Sequence, residues 1–330
     1  QGWSQVHLAR KPNGKWRYCI DFRVLNLLLT LIGWPLPRIK EMITRIGNKK
    51  PKYFGKIDLT SGYHQMPLAA GSRKYTAFRT FHGLFEWNRV PMGIKQAAAY
   101  FQMQMAQILH ERLGNGIELY LDDIIFYAKT FEEYIELLRW ILTKLREHNI
   151  VANPVKTELA FPVLEILGHK VDSDGVTFDK SKLQGVVKFP QPQTVNQMEQ
   201  FLGLTTHFRD HVPAGQRSEG VSDITTLERP LRQIMSAAKK SKTTKLDWND
   251  IANEHFHTLK NAIWNCQKLF FYDADKPVFL HTDACNHGIG AYLFQKDSDG
   301  NELPIAFMSK TLNELKVPGC LEYSITNVTG

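Results

Sequence analysis

Cysteine is scarce and scattered: Cys19, Cys266, Cys285 and Cys320 are the only four in 330 residues, and no two stand in C-x-x-C spacing. That argues against a disulfide framework and against a thiolate zinc site, and it fits a reducing compartment. Long apolar runs are missing too. The longest, "VLNLLLTLIGW", falls short of the ~18 residues a membrane-spanning helix needs, and "PLP" follows it, so a buried core segment is expected. Neither an initiator Met nor a charged-then-apolar leader opens the chain at Gln1, which therefore reads as a fragment or excised region. No repeat of fixed period and no low-complexity segment is visible, which removes solenoid architectures from consideration.

What is present is ordinary in bulk and specific in detail. Hydrophobic residues make up 43% and charged residues 22%, as in soluble globular proteins, and the length allows two or three domains. Net charge is +8 and the isoelectric point is about 9.2, which suggests a polyanionic partner without proving one. "VHLARKPNGKWRYCIDFR" predicts a hairpin around "PNG", and "YFGKID" a strand ending near Asp58. "AAAYFQMQMAQILHERL" has helical spacing with Gly114 as its expected cap, and "FEEYIELLRWILTKLREHNI" is an amphipathic helix with acids early and bases late. "ILGHKVDSDGV" predicts another hairpin. "TVNQMEQFLGLTTHF" is a Thr-capped helix after a Pro/Gln linker, and the Lys-rich "SAAKKSKTTKLDW" is expected to be a second boundary. "NEHFHTLKNAIW" is helical, and "PVFLHTDACNHGIGAYLFQKDSDGNELPIAFMSKTL" predicts three strands with "DSDG" as a turn. Mixed helices and hairpins make the class α+β.

One stretch conflicts with simple burial. In "ELYLDDIIFYAK", Asp122 and Asp123 interrupt an apolar run. A solvated turn is the plain alternative, since Asp is common in turns. Yet "DD" lacks the Gly or Asn that a two-residue hairpin prefers, and the aromatic and β-branched flanks suggest burial on both sides. Like charges held together there need a cation, and Mg2+ suits carboxylates best. Asp58, at the end of its strand, is a candidate third carboxylate for a two-metal site, although by itself it also reads as a turn or capping Asp. The reading requires the Asp58 carboxyl to lie within roughly a helix's width, ~10 Å, of the other two.

"KIDLTSGYHQ", "VPMGIKQAAAYFQ", "YLDDIIFYAKTFEEY" and "EILGHKVDSDGV" follow one another as successive motifs of reverse transcriptases. The chain resembles the Ty3/gypsy type of long-terminal-repeat retrotransposon over essentially its whole length. "RKPNGKWRYCIDFRVLN" and "WPLPRI" resemble that family's fingers, "FLGLTTHFRDHVP" its thumb, and "TDACNHGIGAYLFQ" and "PIAFMSKTL" the start of its RNase H domain. The resemblance implies a right-hand polymerase of fingers, ferredoxin-like palm and thumb, followed by a truncated RNase H-like α/β module. The implied divisions are 1–171 for fingers and palm, 172–245 for thumb and connection, and 246–330 for the RNase H-like start.

By resemblance Asp58, Asp122 and Asp123 are the catalytic carboxylates, Asp58 and Asp122 the main ligands of Mg2+, with Mn2+ as a substitute. Arg17 would contact the phosphates of the incoming deoxynucleotide, with Arg10 or Lys11 adding a further contact. Tyr63 would be the steric gate against a 2′-hydroxyl, with a core aromatic as the plain alternative. Met92 and Gly93 would line the nucleotide pocket, and Lys156 would protonate pyrophosphate unless it is an exposed helix-end lysine. Leu167, Gly168 and His169 would form the primer grip, or His169 an ordinary surface histidine. Asp283 would be the first RNase H metal ligand. In "YSITNVTG", Asn327 and Thr329 stand where that family has Glu, and the chain ends before a later Asp, so no RNase H activity is expected.

Met92 stands where that family commonly has Phe, and Ala98 where it has Pro; "LNLLLTLIGWPLP" is more apolar than usual, and by the resemblance the start of the fingers is expected to be missing. Partners are expected to be an RNA or DNA template with primer and deoxynucleoside triphosphates, bound through phosphates and duplex shape rather than sequence. No membrane partner is expected, and cytoplasm or a virus-like particle is the expected location. Two other readings stay open: a catalytically silent retroelement remnant that at most binds nucleic acid, and another palm-fold phosphotransferase such as a nucleotide cyclase.

Overall fold

The computed structural model describes residues 2–10, 14–31, 33–166, 168–213, 224–285 and 288–311. The chain forms two compact units, Gln1–Leu164 and Glu165–Gly330. In the first, β1 (Val6–Arg10) and β2 (Trp16–Ile20) pair antiparallel. Then follow α1 (Arg23–Leu28), α2 (Ile39–Asn48), β3 (Tyr53–Asp58), the one-turn α3 (Ala70–Arg73), and the small β4 (Phe78–Thr80) and β5 (Gly83–Phe85) pair. The unit continues with α4 (Ala97–Leu109), β6 (Ile117–Tyr120), β7 (Asp123–Ala128), α5 (Phe131–Glu147) and β8 (Glu158–Phe161).

The sheet runs β6-β7-β3-β8. With α4 and α5 as crossovers this is the βαββαβ order of a ferredoxin-like sheet. α5 forms because Tyr134, Leu137, Ile141 and Leu145 recur on one buried face. The Thr130 hydroxyl caps it by accepting the Glu133 N–H, with acids in its first turn and Lys144 and Arg146 in its last. The core beneath joins Ile57, Phe101, Met105, Leu119, Ile124 and Phe126 to those α5 residues. At about 1.5–3 kcal/mol per large apolar side chain, this packing sets how firmly β3 and the β6–β7 hairpin are held.

Two expectations fail in this unit. α4 stops at Leu109, five residues short of Gly114. Gly114 instead takes φ +77° and donates its N–H to the Ile117 carbonyl at 2.7 Å, turning the chain into β6. The apolar run after Phe22 is not core: Val24, Leu27 and Leu28 are 74%, 85% and 80% exposed. None of the residues of this short helix is buried, its Asn26 side chain is engaged at the Gly93 turn, and the buried apolar residues here are Ile20 and Phe22 just before it.

The second unit holds β9 (Leu164–Ile166, beginning at the boundary), β10 (His169–Val171), β11 (Gly175–Phe178), α6 (Lys180–Val187), α7 (Val195–Thr206), α8 (Ile224–Lys240), α9 (Asp250–Trp264) and β12 (Leu269–Phe270). Its first sheet runs β12-β11-β10-β9. Then β13 (Phe279–Cys285), β14 (Gly288–Lys296) and β15 (Glu302–Thr311) form the expected meander. α7 starts with a capping box between Thr194 and Gln197. The Lys-rich stretch is tied into the helices of this unit. Its first part ends α8, and its last bonds back through Val195 N–H to Thr244 and Leu246 N–H to Gln193, with Leu246 buried in the helical core.

Candidate active site

β6 and β7 turn on Leu121 and Asp122, with Tyr120 opposite Asp123. This two-residue loop has no Gly, so Leu121 itself takes φ +54°, a conformation that costs a β-carbon residue of order 1 kcal/mol or more. Gln102, buried on α4, holds it there. Its amide oxygen accepts the Leu121 N–H at 2.6 Å, and its amide nitrogen donates to the Leu119 carbonyl at 3.1 Å.

β3 lies against β7 in a register that sets Asp58 opposite Asp123. Directly opposed residues leave an antiparallel pair on the same face with Cβ atoms about 5 Å apart. The side chain of Lys56, two residues earlier on β3, shares that face; its Nζ sits 3.2 Å from Asp123 Oδ2. Across the pair, Lys156 Nζ lies 3.3 Å from Asp58 Oδ2. Lys156 is brought there by backbone pairing: Asn153 N–H donates to the Asp58 carbonyl at 2.8 Å. Gln65 clamps the same junction, bonding the Thr60 carbonyl and both the N–H and carbonyl of Val151.

Tyr63 stands on a 3-10 turn, Gly62–Gln65, half-buried with its ring edge-on to Phe101. A Cβ on Gly62 would come 3.0 Å from Phe101 Cζ, a tight approach that favours glycine there, and 3.6 Å from Asp122 Cβ, which places this turn against Asp122. Burial, and then the Asp122 charge, raise the Tyr63 phenol above its ordinary value. Burial likewise pushes the Asp123 carboxyl above the usual carboxylate range. Lys56 opposes that push, and Asp122 and Asp58 add to it.

Among the described residues no three His, Cys, Asp or Glu side chains lie close enough together, as they stand, to hold a metal ion. The donors are nonetheless of one kind, hard carboxylate oxygens, and two of the three already draw a cation in the form of a lysine ammonium. The set fits Mg2+ in chemistry and in its demand for positive charge.

Other candidate residues fall elsewhere. Gly93 adopts φ +93°, and Asn26 of α1 ties this turn down by donating to the Gly93 carbonyl at 2.9 Å and accepting the Lys95 N–H at 2.8 Å; Met92 beside it is exposed. Arg10 and Arg17 are exposed on the β1–β2 hairpin; Lys11 lies outside the described residues. In the second unit Gly168 has φ +89°, while Leu167 is outside the described residues. His169 is half-buried, its ring 4.8 Å from Phe178 and 5.0 Å from His207. Asp283 is exposed on β13 opposite Gly290; Asn327 and Thr329 lie outside the described residues.

Two residues escape a motif-led reading. Lys56 is signalled by its spacing alone, two residues before Asp58 on one strand. Gln102 is signalled as a single amide among the buried positions of α4.

The site is thus a hairpin that presents two carboxylates against a strand aspartate on a ferredoxin-like sheet. Comparison with known proteins gives the family. Residues 9–206 match the model described as reverse transcriptase (RNA-dependent DNA polymerase), and 248–320 match the RNase H-like domain found in reverse transcriptase. The chain belongs to the reverse transcriptase family, and its relatives are of the Ty3/gypsy type. It is 33% identical to the retrovirus-related Pol polyprotein from transposon opus of Drosophila melanogaster, over 92% of this chain and 30% of that protein. It is 30% identical to that from transposon gypsy, over 90% and 28%. It thus spans less than a third of either relative's length. Among solved structures, a foamy viral protease-reverse transcriptase in complex with double-stranded DNA superimposes with a TM-score of 0.81 at 23% identity, over 94% of this chain and 52% of that one. Another, in complex with an RNA/DNA hybrid, gives 0.74 at 22% identity, over 94% and 40%. These show the same α+β fold.

Proposed function

We propose that this chain adds deoxynucleotides to the 3′ end of a primer on an RNA or DNA template. The observation that carries this reading is the in-register facing of Asp58 and Asp123 with Asp122 on the adjoining turn. Asp58 and Asp122 would hold Mg2+, or Mn2+ in its place, and Asp123 would complete the charge of the site. When bound, a pair of such ions makes the primer hydroxyl more acidic and balances charge on the triphosphate. Tyr63 packs beside the sugar and excludes a 2′-hydroxyl; its fixed seat against Phe101 supports that role. Arg10, Lys11 and Arg17 take the triphosphate, and Met92 and Gly93 line the pocket. Lys156 supplies a proton to the leaving pyrophosphate, and its contact with Asp58 supports a place at the reacting end. Leu167, Gly168 and His169 hold the primer terminus, and Asp283 belongs to the RNase H-like part. The division into 1–171, 172–245 and 246–330 goes with this reading.

Primer extension on poly(rA)/oligo(dT) with Mg2+ or Mn2+ tests it. Incorporation of dTTP is expected, and Asp122→Asn should lower it by more than about a hundredfold, the scale of losing a centrally placed electrostatic group. A well-folded protein with no incorporation would leave the silent remnant as the better reading.

A further inference from the structure

The two lysines at the carboxylate pair make nearly equal contacts, 3.2 Å for Lys56 to Asp123 and 3.3 Å for Lys156 to Asp58. They are held in different ways. Lys56 extends from the middle of β3, flanked by hydrogen-bonded strands on both sides, and is 22% exposed, as is Asp123. Lys156 stands on the turn just before β8 and is 65% exposed. An ammonium on an exposed, flexible stem gives up its carboxylate at little cost, because water takes over its solvation; one wedged in a sheet does not.

We propose that Lys56 is a positioning residue that keeps Asp123 engaged and so decides which carboxylates take the metal: Asp58, after releasing Lys156, and Asp122, but not Asp123. This rests on the polymerase reading of the site. The paired aspartates of "LDD" are chemically alike, so their sequence order gives them no different duties. The difference comes from β3: Asp123 begins β7 opposite Asp58 and meets the Lys56 ammonium, whereas Asp122 sits on the turn beside Gly62 and Tyr63. A released Lys156 is also free to turn toward pyrophosphate.

Mn2+ binding to the whole chain, followed by electron paramagnetic resonance without nucleic acid, reads this independently of catalysis. Lys56→Gln frees a third carboxylate and removes one positive charge, so Mn2+ should bind about three- to tenfold more tightly. Lys56→Arg should bind as the unaltered protein does. In an Asp123→Asn background, Lys56→Gln should add less than about twofold, since the coupling runs through that pair. In primer extension, Lys56→Gln should lower kcat with the KM for dTTP held within about twofold, because ground-state nucleotide binding does not involve Asp123. On the unaltered protein, acetylation of Lys56 read by mass spectrometry should stay low when Mg2+ is added, while Lys156 becomes more reactive. Unchanged or weaker Mn2+ binding by folded Lys56→Gln, or exposure of Lys56 on adding Mg2+, overturns the proposal; the labelling decides it even if that variant does not fold. If Mn2+ binding behaves as stated but neither the unaltered protein nor any variant extends a primer, the polymerase reading fails, and what remains of the proposal is only that Lys56 keeps Asp123 from the metal.

Discussion

Asp123 and Asp283 both lie on strands of antiparallel sheets, and they meet opposite circumstances. Asp123 faces a carboxylate on the next strand, has a second beside it on the turn, and is partly buried with a lysine against it. Asp283 faces Gly290 and is exposed. A strand aspartate becomes a metal-site candidate through what the neighbouring strands present to it, not through its own type. In the first unit the neighbours are charged, and the hairpin that carries Asp122 and Asp123 is strained and clamped to keep them there. Around Asp283 the ring-rich face of β14, with Tyr292 and Phe294, is packed for stability.

The comparison can be tested hardest at the clamp. Gln102→Leu should leave the partly buried Leu121 N–H and the buried Leu119 carbonyl without this amide, costing about 1–3 kcal/mol, with primer extension falling along with the melting temperature of the first unit. An unchanged melt would mean that the hairpin holds its own shape and that the contrast with β13 owes nothing to α4. A second measurement asks whether the second unit is simply looser. Cys266 packs against its helical core, and burial pushes the thiol up to about 11. Because the thiolate is the reacting form, alkylation of Cys266 at pH 8 should run roughly a hundredfold slower than that of a free thiol and speed up as pH approaches 11. Rapid labelling at pH 8 would show an open core and would make Asp283's exposure unremarkable. The smallest effect belongs to Asp283→Asn, which should leave both primer extension and melting temperature unchanged; a loss of extension would erase the contrast between the two aspartates.

Much of the fold is legible in the chain because its signals are local. The amphipathic, acid-to-base pattern of "FEEYIELLRWILTKLREHNI", the Thr that opens "TVNQMEQFLGLTTHF" and the strands on either side of "DSDG" all act within a few turns, and each element appears there. The errors came where a distant partner decides. Gly114 looks like a helix cap, yet it serves the turn into β6; "VLNLLLTLIGW" is apolar enough for a core, yet among the described residues no other element of its unit packs over Val24, Leu27 and Leu28. Within the Lys-rich stretch the burial of Leu246 is likewise invisible locally, because it depends on helices from elsewhere in the unit.

From the sequence alone came the identity of the acidic residues, the order of the motifs and the family they resemble, since side-chain chemistry and spacing are written in the chain. Which aspartate faces which, which lysine is wedged and which is loose, and how Leu121 is kept at a left-handed φ were decided only by the pairing of β3 with β7 and the packing of α4 beneath. The reason is physical: charges interact through space within a few ångströms, and residues 56, 58, 102, 122, 123 and 156 come within that range only after the sheet has closed.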